Sequence, residues 1–226
     1  TVCVRDFLED TDRKRFVPYQ MAEPLHASHF TLQKDGSPPK NAQEVLQFVD
    51  GRMNKLIDLD ARALHLFLSA DWRYQANVDA AAIDAMLQSC QDREPTVEER
   101  NALTSFAADA VANRAAEAGL VLQLFQGIET YVRGTCSVTA AISHQSDFLA
   151  DFSHYLARHP GVTVDLFLAS RAFGQQAASF ARVHHNLMVS GAWWHGFTPS
   201  TLTQFFRDRL ETLPANAWHA FYSDGY

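Results

Sequence analysis

From residue 63 onward, short apolar runs alternate with amphipathic stretches, and this pattern constrains the fold more than any other feature. The runs are Ala63 to Ser69, Leu120 to Phe125, Val162 to Leu168, Asn186 to Ser190 and Ala217 to Tyr222. Each is short, rich in branched and aromatic side chains and bounded by polar residues or Gly and Pro, as buried strands are. Strand–helix–strand units linked by right-handed crossovers give a parallel sheet, either an open doubly wound sheet or part of a barrel.

The intervening segments carry helix signals. Asn41 caps a helix to about Leu56, with Val45, Leu46, Phe48, Val49 and Met53 at helical spacing. Asp79 starts a short helix through Cys90. Thr96 with Glu99 forms a capping box for a helix to about Ala118, and Gly119 closes it. Further helices are expected from Gln145 to Arg158, from Phe173 to Val183, and from Thr198, where Pro199 takes the first helical position. Residues 129–143 read as a loop. Residues 1–40 are rich in charge, Pro and aromatics; Phe16 to Met21 has strand composition, which Pro18 weakens.

The net charge of −7 and the scatter of basic residues give nothing that favours a nucleic-acid or anionic-membrane surface as partner. Cys3, Cys90 and Cys136 have no metal spacing, and their odd number fits a reducing, cytoplasmic setting. No apolar run approaches the ~20 residues of a membrane span. The chain begins Thr-Val-Cys without an initiator Met and reads as a piece of a longer protein.

In a parallel β/α protein the chemistry gathers at the carboxyl ends of the strands. Those ends supply Asp71, Trp72 and Arg73; Gln126 and Glu129; Ser170 and Arg171; Trp193, Trp194 and His195; and Asp224 and Tyr226. The set suits a small sugar acid. Arginine offers a fork for a carboxylate, and Trp offers a flat apolar face for a sugar ring. Each has a structural reading beside the functional one. Arg73 and Arg171 also read as solvated loop charges and His195 as a loop histidine. Trp193 and Trp194 are adjacent and point to different sides, so one belongs to the core. His65, inside a strand, reads as an interior residue. Asp224 differs, because a carboxylate directly after an apolar strand is costly without a job or a partner.

Gly191-Ala192-Trp193-Trp194, followed about thirty residues later by Phe221-Tyr222-Ser223-Asp224, resembles the uronate (glucuronate) isomerase family of the amidohydrolase superfamily. Gly119 to Gly127 is similar to that family's fifth strand, and Ala61 to Tyr74 falls where the fourth would lie. The resemblance implies a (β/α)8 TIM-type barrel, incomplete in this chain, with helical additions. Residues 1–60 would be a loop and helix segment packing on the barrel, and residues 61–226 strands four to eight. It implies aldose–ketose isomerisation of hexuronates such as glucuronate, with a divalent metal, commonly zinc, at the mouth; a homo-oligomer is compatible with this. Asp224 matches the Asp that binds metal or moves the proton, and one of Trp193 and Trp194 matches a Trp near the substrate. Arg73, Arg171, His195 and Gln126 complete the expected substrate-binding set. The sequence departs from the pattern in three places: no His-x-His occurs, Phe125 stands where the fifth strand offers His, and Gly225-Tyr226 follows Asp224 in place of Ser-Arg. These departures bring forward a hydrolase or lyase of the same superfamily, or a relative without the metal site.

Overall fold

The computed structural model describes residues 3–6, 16–22, 39–68, 72–129, 141–142, 147–192 and 198–218. Six strands form one sheet: β1 (Cys3–Asp6), β2 (Phe16–Ala22), β3 (Ala63–Phe67), β4 (Val121–Gln126), β7 (Val164–Leu168) and β8 (Leu187–Ala192). Every pairing in it is parallel, and the spatial order follows the chain order. A doubly wound sheet reverses its order at a switch point; this one does not, so the winding is that of a TIM-type barrel. β5 (Ile128–Glu129) and β6 (Ala141–Ile142) form a separate antiparallel pair inside the stretch expected to be loop.

Two of the six strands come from residues 1–60, which the sequence reading assigned to a loop and helix segment. β2 pairs with β1 over Phe16 to Tyr19 but with β3 only over Gln20 to Ala22. Pro18 therefore lies outside the β2–β3 pairing, where its missing N–H would have interrupted the ladder. At the other end, Ala215–Ala217 form a single 3-10 turn. The rest of the strand expected at Ala217 to Tyr222 lies, after Trp218, outside the described residues.

The helices are α1 (Ala42–Asp58), α2 (Ala80–Ser89), α3 (Val97–Ala118), α4 (Phe148–Arg158), α5 (Gly174–Val183) and α6 (Pro199–Thr212). Their starts follow from local chemistry. Asn41 and Asp79 accept from the backbone N–H groups of Glu44 and Ala82 at 2.9 and 2.8 Å. Thr96 and Glu99 form the reciprocal capping box. Gly119 ends α3 in the left-handed region at φ 66°, which only glycine adopts without cost. Three starts differ: Asp147 and Phe173 make no side-chain cap bond, and the Thr198 hydroxyl donates to Thr201 Oγ1 at 2.8 Å and caps no backbone N–H.

Strand alternation divides the sheet into two faces. Leu64, Leu66, Leu122, Leu124, Val164 and Leu166 join the helices in one buried apolar cluster. α1 contributes Val45, Val49, Met53 and Leu56 to it, and α4 contributes Phe148, Leu149, Phe152 and Tyr155. His65, Gln123, Phe125, Asp165 and Phe167 occupy the opposite phase. Phe125 and Phe167 are buried but stand apart from the helix-side cluster. One cation is also buried in the helical layer. Arg209 of α6 donates to the carbonyl of Gly174 at 2.6 Å and sits 4.4 Å above the Phe205 ring. Burial holds its pKa down to about 10.

Candidate functional site

Parallel pairing in register brings the carboxyl ends of β3, β4, β7 and β8 to one side of the sheet. The chain leaving β3 stays close to β4, with Leu68 N donating to Phe125 O at 2.9 Å. The chain leaving β7 does the same, with Ala169 N donating to Gln126 O at 3.0 Å. Ser170 then accepts from Ala172 N at 3.1 Å, opening the 3-10 turn Arg171–Phe173 that leads into α5.

The structure sorts the residues that the sequence placed at this mouth. Trp72 is 1% exposed and belongs to the core, in ring contact with Tyr74, Phe148 and Tyr155. The chain after β3 lays its rings against α4, so Trp72 is a packing residue and not a mouth residue. Arg73 lies at the same crossing and pairs with Asp151 of α4 and with Asp147 at 3.5 Å. Its guanidinium is thus committed to two carboxylates near the start of that helix, where acidic side chains favour the helix dipole. Gln126 is 4% exposed and shares the strand phase of Leu122 and Leu124, which directs it to the helix side of β4. Arg171 opens the 3-10 turn after β7. Trp193, Trp194 and His195, which follow β8 in sequence, and Asp224 lie outside the described residues.

The opposite face of the sheet holds a polar row that the sequence reading did not assemble. His65, Gln123 and Asp165 are register partners on three adjacent strands. His65 is 2% exposed and Asp165 fully buried. Gln123 Nε2 lies 3.5 Å from Asp165 Oδ2. Burial lowers the His65 pKa to about 4, against the opposing pull of hydrogen bonding to Gln123 and of the Asp165 charge. The signal was present as single polar residues at alternate positions within apolar runs, in Leu-Gln-Leu and Val-Asp-Leu. Only the register shows that they meet.

Two residues further along these strands the row gives way to aromatic rings. Phe125 and Phe167 stack with centroids 4.4 Å apart and planes 8° from parallel, and the His65 ring lies 4.9 Å from Phe125. The resemblance implies a metal-ligating imidazole at Phe125; this position instead packs as hydrocarbon. Among the described residues, no group of three or more His, Cys, Asp or Glu side chains is arranged to hold a metal ion. The described donor set does not fit a divalent metal centre.

A second polar cluster lies in the helical layer. Asp109 of α3 accepts from Tyr74 Oη at 2.9 Å, pairs with His159 Nε2 at 2.7 Å and lies 3.4 Å from Arg158 Nε. It ties α3, the end of α4 and the chain after β3 together. No helix among the described residues is long and apolar enough to cross a membrane.

No protein-family model and no curated protein sequence matches the chain. Solved structures do match. The uronate isomerase of Bacillus halodurans aligns with a TM-score of 0.63 at 16% identity, over 99% of this chain and 51% of that one. The uronate isomerase of Thermotoga maritima gives 0.69 at 15% identity, over 88% and 48%. The glucuronate isomerase of Caulobacter crescentus gives 0.66 at 14% identity, over 88% and 45%. At these identities the likeness is one of fold, and it confirms the TIM-type barrel winding. The chain spans about half the length of the solved structures it matches.

Proposed function

We propose that this chain is part of a sugar-acid enzyme that interconverts aldose and ketose forms of hexuronates such as glucuronate. The observation carrying the reading is the barrel fold it shares with three uronate and glucuronate isomerases. In such a reaction one proton moves from C2 to C1 and another from O2 to O1, so the aldehyde becomes a hydroxymethyl group and C2 a ketone. A carboxylate at the mouth suits that transfer, and the proposal assigns it to Asp224. With Arg73 committed to Asp147 and Asp151, Arg171 is the arginine the proposal places on the substrate carboxylate. Trp193 or Trp194 would lie against the sugar ring, and His195 would hydrogen-bond its hydroxyls. A divalent metal belongs to the proposal only through Asp224 and donors beyond the described residues.

A second reading is favoured by the Phe125–Phe167 stack, which fills with hydrocarbon the position where the resemblance implies a ligand. It is a hydrolase, a lyase or a sugar-acid binder with the same barrel. Full-length protein, assayed with glucuronate and galacturonate in the presence of zinc or manganese, separates the two. Ketose formation supports isomerisation. Metal-loaded, folded protein that forms no ketose rejects it, and if Asp224→Asn also changes no turnover, both enzymatic readings fall.

A further inference from the structure

Arg209 is a cation held against two penalties. It is 1% exposed, and its Nε has no hydrogen-bond partner. Burying a charge without a counter-charge is costly. Among the described residues it makes no ion pair, and the acid whose charge acts on it, Asp208, accepts from Gln204 Nε2 at 2.7 Å. Its guanidinium also lies at the first turn of α5, the end of a helix that disfavours cations. Two contacts hold it there: the bond to Gly174 O at 2.6 Å and the Phe205 ring, 4.4 Å away. An apolar side chain would fill this place without either penalty. Gly174 does not need the bond either. It is the first residue of α5, so its carbonyl already serves the N–H four residues on. What the bond fixes is the entry to α5, directly after the 3-10 turn Arg171–Phe173. On the strand side that turn is tied by Ala169 N to Gln126 O at 3.0 Å and by Ala172 N to Ser170 Oγ at 3.1 Å. On the helix side Phe173, at the N-cap, makes no side-chain cap bond, and Arg209 supplies the side-chain bond instead.

We propose that Arg209 is a positioning residue: from α6 it clamps the start of α5 and so fixes the turn that carries Arg171, the arginine for the carboxylate of a sugar acid at the mouth. The role rests on the reading given above, which assigns Arg171 to the substrate carboxylate. Arg209 itself touches no substrate. In a hexuronate the carboxylate is C6, at the far end of the sugar from the reacting C1 and C2. Loosening the turn therefore weakens the hold on the substrate more than the proton transfer, so KM responds more than kcat.

Arg209→Met in the full-length, metal-supplemented protein tests the role, with Leu210→Ala on the exposed side of α6 as the control. Amide hydrogen exchange over residues 170–178 should quicken about 5-fold or more, a local opening that leaves the other helices unchanged. The urea midpoint should hold or rise, because a buried charge is gone. KM for glucuronate should rise about 10-fold with kcat changing less than about 3-fold, the scale of one weakened charge-assisted contact. Arg209→Lys, which keeps a cationic donor, should recover part of both effects. Unchanged exchange over residues 170–178, faster exchange with an unchanged KM, or a fall in kcat and urea midpoint without a KM change overturns the proposal. Wild-type protein that forms no ketose rejects the isomerase reading, and the role is then read from glucuronate affinity by calorimetry. An equal Kd in wild type and Arg209→Met, or no binding to either, overturns it. If Arg209→Met does not fold, Phe205→Leu, which removes the ring against the guanidinium, carries the same test; unchanged exchange and KM in that variant overturn the proposal equally.

Discussion

Replacing Phe125 with Ala tests whether the inward face of this sheet is a filled core or an open lining. Phe125 is 2% exposed, stacks on Phe167 at 4.4 Å and touches the His65 ring at 4.9 Å. Truncating a buried Phe to Ala costs about 3–5 kcal/mol, the transfer of the ring plus the cavity left behind. With its stacking contact on Phe167 lost as well, a cost near the middle of that range, about 4 kcal/mol, is expected. Total stabilities run to about 5–15 kcal/mol, so this is a large fraction. Phe125→Leu keeps most of the volume and should cost under about 1.5 kcal/mol. Leu210, 68% exposed on α6, supplies the control, and Leu210→Ala should stay within about 0.5 kcal/mol of the parent. Urea unfolding followed by far-ultraviolet circular dichroism gives the three values. If Phe125→Ala costs no more than Leu210→Ala, the filled-core account is wrong.

Further outcomes follow from the same structure. Thr96→Ala removes the side chain that accepts from Glu99 N at 3.2 Å and should cost about 1 kcal/mol in urea unfolding. Gly119→Ala should cost about 1 kcal/mol through its left-handed backbone alone, since nothing lies within 4 Å of an added Cβ; an unchanged midpoint would contradict the assigned cap. For pH, His65 has a folded-state pKa of about 4 against 6.5 unfolded. Above pH 6.5 neither state binds the proton. Between 6.5 and 4 the unfolded chain binds it first, so stability falls with acid by up to about 3 kcal/mol, and below 4 no further loss arises. Unfolding free energies measured from pH 7 to 4 should show this slope in the wild type and a shallower one in His65→Gln; equal slopes would exclude His65 as the source.

Helix boundaries were legible because their signals are local. Asn41, Asp79, the Thr96–Glu99 pair and Gly119 act on backbone groups within one turn. β3, β4, β7 and β8 were legible as compact apolar runs. β1 was not, because it is short and charged; β2 showed strand composition that Pro18 weakened, and the pairing of both is set by neighbours that no local pattern reveals. The packing of Trp72 and the ion pairs of Arg73 were hidden for a related reason. Their partners on α4 lie more than seventy residues away, and Arg73 pairs with Asp151 across 78 positions. Gln126 followed the rule that strand ends carry chemistry, but strand phase turns it to the helices. The polar row needed register, since His65, Gln123 and Asp165 are each unremarkable alone.

The central claim is tested most directly by following glucuronate with the full-length protein by proton NMR, with Asp224→Asn alongside. The account predicts growth of the ketose hydroxymethyl signals in the wild type and a rate at least about 100-fold lower in the variant, the scale of a lost proton-transfer group. Folded, metal-supplemented wild-type protein that leaves the glucuronate spectrum unchanged, and galacturonate likewise, would contradict it.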